Sequence, residues 1–324
     1  MKRFISTFAI LLAAASLAAA GPRPSNVIAN LPGRSATSLN GAWHTIVDPY
    51  ENGLGGRYFE DKKPANKNNL IEYNFEASPT LSVPGDWNSQ RESLLFYEGP
   101  LWYERTFSYA KRAGKRLFLY FGAVNYKARV YLNGKQVGEH EGGFTPFNFE
   151  ITEAVADGRN SLVVEADATR HPEAIPAISS DWWNYGGLTR DVALIEVPEI
   201  FIQDYFVQLA KGAPGEVAGW VQLDGAHSAR SVTLEIPEIG VRQTIQTDAA
   251  GRGDFRFPAK LQLWSPENPK LYRTILSGAG DRVEDEIGFR TIEARGKQIF
   301  LNGKPVFLRG INMHDEAAFR GGRA

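Results

Sequence analysis

From residue 35 onward the chain is built of short apolar runs separated by turn residues, and no long stretch repeats its apolar positions at helical spacing. That pattern restricts the fold to antiparallel sheets packed on one another, because alternating α/β units would need amphipathic helices between the strands. Residues 116–121 (RLFLYF) are apolar on both alternating faces, which predicts a strand buried on both sides. Residues 128–132 alternate, turn at Asn133-Gly134, and return through Lys135-Gln136-Val137-Gly138. Asn-Gly between apolar runs is a strong hairpin signal, since both turn residues must take positive φ. Residues 162–164 and 192–197 predict further strands.

A break falls near Pro198. Beyond it, strands are predicted over 201–209, 217–223, 231–236, 242–247 and 271–276. About seven short strands in about 100 residues is the size of an immunoglobulin-like sandwich. Pro266 and Pro269 interrupt the series, and residues 281–293 lead into a hairpin at Asn302-Gly303. Residues 52–69 are rich in Gly, Asn and Lys, lack periodicity, and read as a long surface loop. Their Gly53-Leu54-Gly55-Gly56 is not a phosphate loop, because no strand–turn–helix frame surrounds it.

Composition excludes several functions. A formal charge of −1 without like-charge blocks argues against a nucleic-acid or membrane-surface partner. With no cysteine, neither disulfides nor thiol chemistry is available. Aromatic residues make up 12% of the chain, a level that suits either sugar handling or aromatic-rich β cores. Lys2 and Arg3, the apolar residues 4–17 and Ala18-Ala19-Ala20 form an export signal with cleavage expected after Ala20. The expected location is therefore the periplasm or the exterior. The apolar stretch is short for a bilayer span, and no later segment is apolar enough.

Several segments in order resemble glycoside hydrolase family 2, the β-galactosidases, β-glucuronidases and β-mannosidases. They are Val83-Pro84-Gly85-Asp86-Trp87 with Gly99-Pro100-Leu101-Trp102-Tyr103-Glu104-Arg105, then Tyr131-Leu132-Asn133-Gly134-Lys135 with Gly142-Gly143-Phe144-Thr145-Pro146-Phe147. Asp181-Trp182-Trp183-Asn184-Tyr185-Gly186-Gly187-Leu188-Thr189-Arg190-Asp191-Val192 follows, then Leu263-Trp264-Ser265-Pro266-Glu267-Asn268-Pro269, and finally Phe307-Leu308-Arg309-Gly310-Ile311-Asn312. After the signal peptide over 1–20, the resemblance implies a jelly-roll sugar-binding domain over 21–197 and an immunoglobulin-like sandwich over 198–293. Residues 294–324 would then be the first hairpin and strand of a (β/α)8 barrel, truncated here.

The family hydrolyses β-glycosides with retention, through one glutamate as acid/base and a second as nucleophile. In the family the acid/base follows an asparagine, and this chain contains no Asn-Glu dipeptide. No catalytic residue is therefore expected among the 324, and the chain is expected to be inactive alone. The implied partner is a β-linked sugar, bound together with the barrel. No cofactor or metal is implied, and a homo-oligomer of the full-length form is left open.

By resemblance, Asp181 reaches the sugar, where a carboxylate accepts bonds from hydroxyls, with Trp182 and Trp183 either stacking on the ring or packing in the core. Asp86 holds a position that approaches the pocket in some relatives, and otherwise serves a turn. Arg190 and Asp191 are expected to pair or to join neighbouring domains. Asn312 and His314 fall where relatives carry a pocket-lining Asn-Arg-His-Glu, although Met313 replaces the arginine and leaves the sugar open. A metal site at His314-Asp315-Glu316 is disfavoured, since three adjacent residues converge poorly on one ion. A stand-alone carbohydrate-binding protein is the alternative, and a selected module would be expected to have shed or charged the apolar terminal hairpin.

Overall fold

The computed structural model describes residues 26–311 except 65, 67, 176, 181 and 182, together with the backbone of two short segments, 316–317 and 322–323. Its strands in chain order are β1 (Ala36–Ser38), β2 (Gly41–Val47), β3 (Thr80–Val83), β4 (Pro100–Tyr109), β5 (Lys115–Phe121), β6 (Lys127–Leu132), β7 (Lys135–Glu141), β8 (Phe147–Glu150), β9 (Gly158–Asp167) and β10 (Val192–Pro198). One short helix, α1 (Trp87–Gln90), follows β3. These strands make a six-stranded sheet, β3-β2-β4-β9-β6-β7, facing a four-stranded sheet, β1-β10-β5-β8, with antiparallel pairing throughout. Trp43, Leu101, Tyr103, Leu119, Phe121, Val130, Leu162 and Val164 fill the space between them. Burying an aliphatic or aromatic side chain of this kind is worth roughly 1.5–3 kcal/mol relative to exposure.

A second sandwich follows from β11 (Phe201–Ala210), β12 (Ala213–Asp224), β13 (Ser231–Ile236), β14 (Val241–Gln246), β15 (Arg252–Pro258), β16 (Tyr272–Gly278) and β17 (Asp281–Ile287). Its sheets are β11-β12-β15 and β14-β13-β16-β17. β13 shows how the sequence builds it. In Ser-Val-Thr-Leu-Glu-Ile the apolar members Val232, Leu234 and Ile236 all face the core. A final small sheet holds β18 (Ile292–Arg295), β19 (Gln298–Leu301) and β20 (Lys304–Val306). Both Asn-Gly hairpins form as expected, with Asn133 and Gly134 at φ 52° and 77° and Asn302 and Gly303 at φ 50° and 75°. After β20, residues 307–311 belong to no strand.

The two-sided apolarity of residues 116–121 has a specific cause. Leu117, Leu119 and Phe121 point into the first sandwich, while Phe118 packs with Ile28, Ile195, Val197 and Phe201 at the junction with the second.

Residues 48–79 also depart from a plain surface loop. Tyr58, Phe59, Tyr73 and Phe75 pack on Trp102, Tyr131 and Val163, closing the outer face of the six-stranded sheet. Asp48 anchors the segment. Its carboxylate accepts from the Trp102 indole at 3.0 Å and from the backbone N–H of Asn52 and Gly53 at 2.8 and 2.7 Å.

Under this cover Glu104 is buried, and its Oε1 has no hydrogen-bond partner among the described residues. Burial first, then the charge of Asp61, raises its pKa above the ordinary carboxyl value, while His44, Lys63 and Arg159 pull the other way. The raised folded-state value fixes the sign. Once pH passes the unfolded value of about 4.3, the unfolded chain gives up this proton more readily than the folded one, so stability falls as pH rises. Glu104→Gln is expected to gain about 1 kcal/mol at pH 7 and to flatten the decline between pH 5 and 7. Denaturant midpoints at the two pH values check this, and a lower midpoint for the variant at pH 7 would refute it.

Candidate functional site

Two loops meet at one end of the first sandwich, and both belong to the quoted motifs. The first runs from β3 through α1 to β4, and the second joins β9 to β10. Asparagines hold them together. Asn88 donates its amide to the carbonyls of Leu94, Leu95 and Tyr97 at 2.9, 3.2 and 3.1 Å. Its Oδ1 accepts from Gly186 N–H at 2.9 Å. Asn125 donates to Asn184 Oδ1 at 3.0 Å and to the Tyr185 carbonyl at 2.6 Å, and Asn184 in turn donates to the Ala168 carbonyl at 2.5 Å. All three asparagines are buried. Each therefore supplies bonds that the loop backbone would otherwise leave unmade away from water.

The glycines of Tyr185-Gly186-Gly187-Leu188 are required by close approach. A Cβ on Gly186 would stand 2.1 Å from the Trp87 ring. Gly187 has φ 130°, and a Cβ there would stand 2.8 Å from the Tyr103 hydroxyl and 3.0 Å from the Gly85 carbonyl. The loops also pair through backbone bonds, Trp87 N–H to Gly186 O at 3.0 Å and Gly85 N–H to Leu188 O at 2.8 Å. Below them the buried Tyr103 hydroxyl is held protonated far above the phenol range, by burial first and then by the Asp86 carboxylate.

Of the residues expected to contact sugar, Asp86 is described. It caps α1, with Oδ1 accepting from Ser89 N–H at 2.7 Å and Oδ2 from Ser89 Oγ at 2.8 Å. Both oxygens thus carry a bond within the loop, a capping role that aspartate at this position commonly fills. Asp181, Asn312 and His314 lie outside the described residues, as do Trp182 and the export signal over 1–20. Trp183 is described, and its indole N–H donates to the Leu95 carbonyl at 3.1 Å. Arg190 donates to the Phe144 carbonyl at 3.0 Å, and Asp191 accepts from Asn40 at 2.8 Å. Each therefore serves the first sandwich separately. Among the described residues no three His, Asp or Glu side chains are placed to hold one ion, and no helix is long and apolar enough to cross a membrane.

The sequence reading did not single out Asn88, Asn125 or Asn184. Asn88 carried a usable signal, since an aspartate followed by a short polar run marks a helix start. The partners of the other two are set only by folding.

Comparison with known proteins places the whole region. Residues 36–198 match the family model "Glycosyl hydrolases family 2, sugar binding domain", and residues 200–290 match "Glycosyl hydrolases family 2". A putative beta-glucuronidase of Formosa agariphila is 29% identical over 77% of the chain and 32% of its own length. The beta-glucuronidase of Felis catus is 29% identical over 90% of the chain and 50% of its own length. A beta-glucuronidase structure from an uncultured Clostridium superposes with a TM-score of 0.74 at 26% identity, covering 92% of this chain and 52% of that one. The chain thus spans between about a third and a half of these relatives.

Proposed function

The chain belongs to glycosyl hydrolase family 2, and from that premise we propose that it serves the retaining hydrolysis of β-linked glycosides as the sugar-side scaffold. The two family matches, in the order of the two sandwiches, carry this reading. β-Glucuronides are the proposed substrate class, supported by the beta-glucuronidases among its relatives. Export to the periplasm or the exterior is part of the same proposal, on the strength of Lys2-Arg3 and the apolar residues that follow.

In this reading Asp181 contacts the sugar, a role in which a carboxylate accepts from ring hydroxyls. Asn88, Asn125 and Asn184 hold the described parts of the two loops by bonds to their backbone. The two catalytic carboxylates of retaining hydrolysis are not assigned to any of these residues. Ile292, Phe307, Leu308 and Ile311 are exposed at 70%, 84%, 69% and 84%. That much apolar surface suits contact with a further domain.

The experiment uses the 324-residue chain. No turnover of 4-nitrophenyl β-D-glucuronide is expected, while saturation-transfer NMR is expected to detect weak binding of methyl β-D-glucuronide that Asp181→Ala removes. Turnover would overturn the scaffold assignment, and absence of glycoside binding would overturn the sugar contact.

A further inference from the structure

We propose that the hollow beside the link between the two sandwiches is a saccharide site, in which the hydroxyls of one sugar ring bridge Arg230 and Glu199. None of its residues takes part in the sugar contact proposed above, so the two readings stand or fall separately.

Glu199 and Ile200 are the whole link between β10 and β11. They line two adjoining hollows, one of about 360 Å³ that reaches Gly114 and one of about 590 Å³ that reaches Arg116 and Asp224, and Arg230 borders both. The larger volume lies within the range of small-molecule pockets, which favour domain junctions. Its wall is built from within. Arg116 rests against the rings of Phe118 and Phe201, 5.3 and 5.2 Å from their centroids. It donates through Nε and Nη2 to the two oxygens of Glu150 at 2.9 and 2.7 Å, and through Nη1 to Asp224 and the Glu199 carbonyl. Gly225 lets the wall close, since a Cβ there would stand 2.2 Å from that carbonyl. Four of the five N–H groups of Arg116 are thus taken, and its charge is matched by Glu150 and Asp224.

Arg230 and Glu199 are placed otherwise. Their side chains are exposed on the walls of the same hollows, yet they form no ion pair with each other or with any described residue. An occupant that joins them must donate to the carboxylate and accept from the guanidinium. A sugar ring does both, because every hydroxyl is donor and acceptor at once. The His227 imidazole, also without a described partner, borders the larger hollow and suits the same hydroxyls. A metal ion fits less well, because among the described residues no three acidic or imidazole groups are placed to hold one. A phosphate would meet Arg230 but also the carboxylates of Glu199 and Asp224.

The test follows backbone amides of the 324-residue chain by NMR during titration with the methyl β-D-pyranosides of glucose, galactose and mannose. At least one is expected to shift the amides of Gly114 in the first sandwich and of Gly225 and Arg230 in the second, with millimolar affinity. Arg230→Ala and Glu199→Ala should each weaken that binding about tenfold, the worth of one hydrogen bond to a charged group. Neither side chain bonds to the fold among the described residues, so both variants should keep the unfolding midpoint of the unaltered chain. No shift at these amides with any of the three glycosides, or affinity that either variant leaves unchanged, overturns the site. Binding of inorganic phosphate or of glycine in place of the glycosides overturns it as well, and assigns the hollow to a charged ligand.

Discussion

Asn88→Ala is expected to destabilise the first sandwich by about 4 kcal/mol. The side chain is 2% exposed and makes four hydrogen bonds. Removing it leaves three carbonyls and one N–H without this partner in a region closed to water. The Gly186 N–H is left without its acceptor, at about 1–3 kcal/mol, while each carbonyl loses one of two bonds, at about 0.5–1.5 kcal/mol, because Tyr97 N–H, Trp183 and Trp87 still serve Leu94, Leu95 and Tyr97. For a domain of this size the loss corresponds to a fall of about 10 °C in melting temperature. Asn88→Asp should do no better. Its carboxylate would still accept from Gly186, but it would face three carbonyl oxygens with a charge. Chemical denaturation of the two variants decides the matter. A loss below 1 kcal/mol in Asn88→Ala would mean that water replaces the amide and that the rim is not held from within.

Much of the fold was legible in the sequence, because strands that bury one face announce themselves by a period of two. Residues 231–236 were read with the bounds that β13 takes, and both Asn-Gly turns were read from the need for positive φ. Where the signal failed, the reason lies in long-range partners. β17 reads Asp-Arg-Val-Glu-Asp-Glu-Ile, and within it Val283 is the buried core residue. Its two apolar positions, Val283 and Ile287, stand four residues apart, a spacing that fits a strand and a helix alike. The Asp48 anchor likewise depends on Trp102, which is 54 residues away.

The candidate site was legible as motif and not as geometry. Tyr185-Gly186-Gly187 stood out in the sequence, yet the reason for its glycines is the Trp87 ring and the Tyr103 hydroxyl, which no local pattern predicts. Asp86 shows the limit from the other side. A carboxylate in a recognisable motif invites a ligand role, whereas its observed bonds go to Ser89, three residues along. Polar loop residues have no periodicity to betray their partners, so the bonds that Asn88, Asn125 and Asn184 make became visible only once the loops were folded against each other.

Loss of Arg34 is expected to do comparable damage at the other end of the first sandwich. The segment before β1 straps the two sandwiches together. Ile28 N–H donates to Asn148 in the first at 3.0 Å, and Ala29 N–H to the Gln203 carbonyl in the second at 2.8 Å. Asn30 donates to the Tyr205 hydroxyl and the Glu284 carbonyl at 2.9 and 2.7 Å. Arg34 locks the strap. Its guanidinium pairs with Asp281 at 3.0 Å and donates to the carbonyls of Ala29 and Ile202, and the two charged side chains are 3% and 11% exposed. A buried pair of this kind need not add net stability, but removing one partner leaves the other as an uncompensated charge, at a cost of about 3–5 kcal/mol. Arg34→Ala is therefore expected to lower stability by about 4 kcal/mol and to split a shared calorimetric transition into two, as the sandwiches lose their common clamp. Adding Asp281→Asn should recover part of that loss, because it removes the stranded charge and keeps an oxygen for the Ile202 N–H that Asp281 also accepts from at 2.9 Å. A double variant no more stable than Arg34→Ala alone would show that the strap acts through packing at Ile28, Phe118 and Phe201, with the ion pair incidental to it.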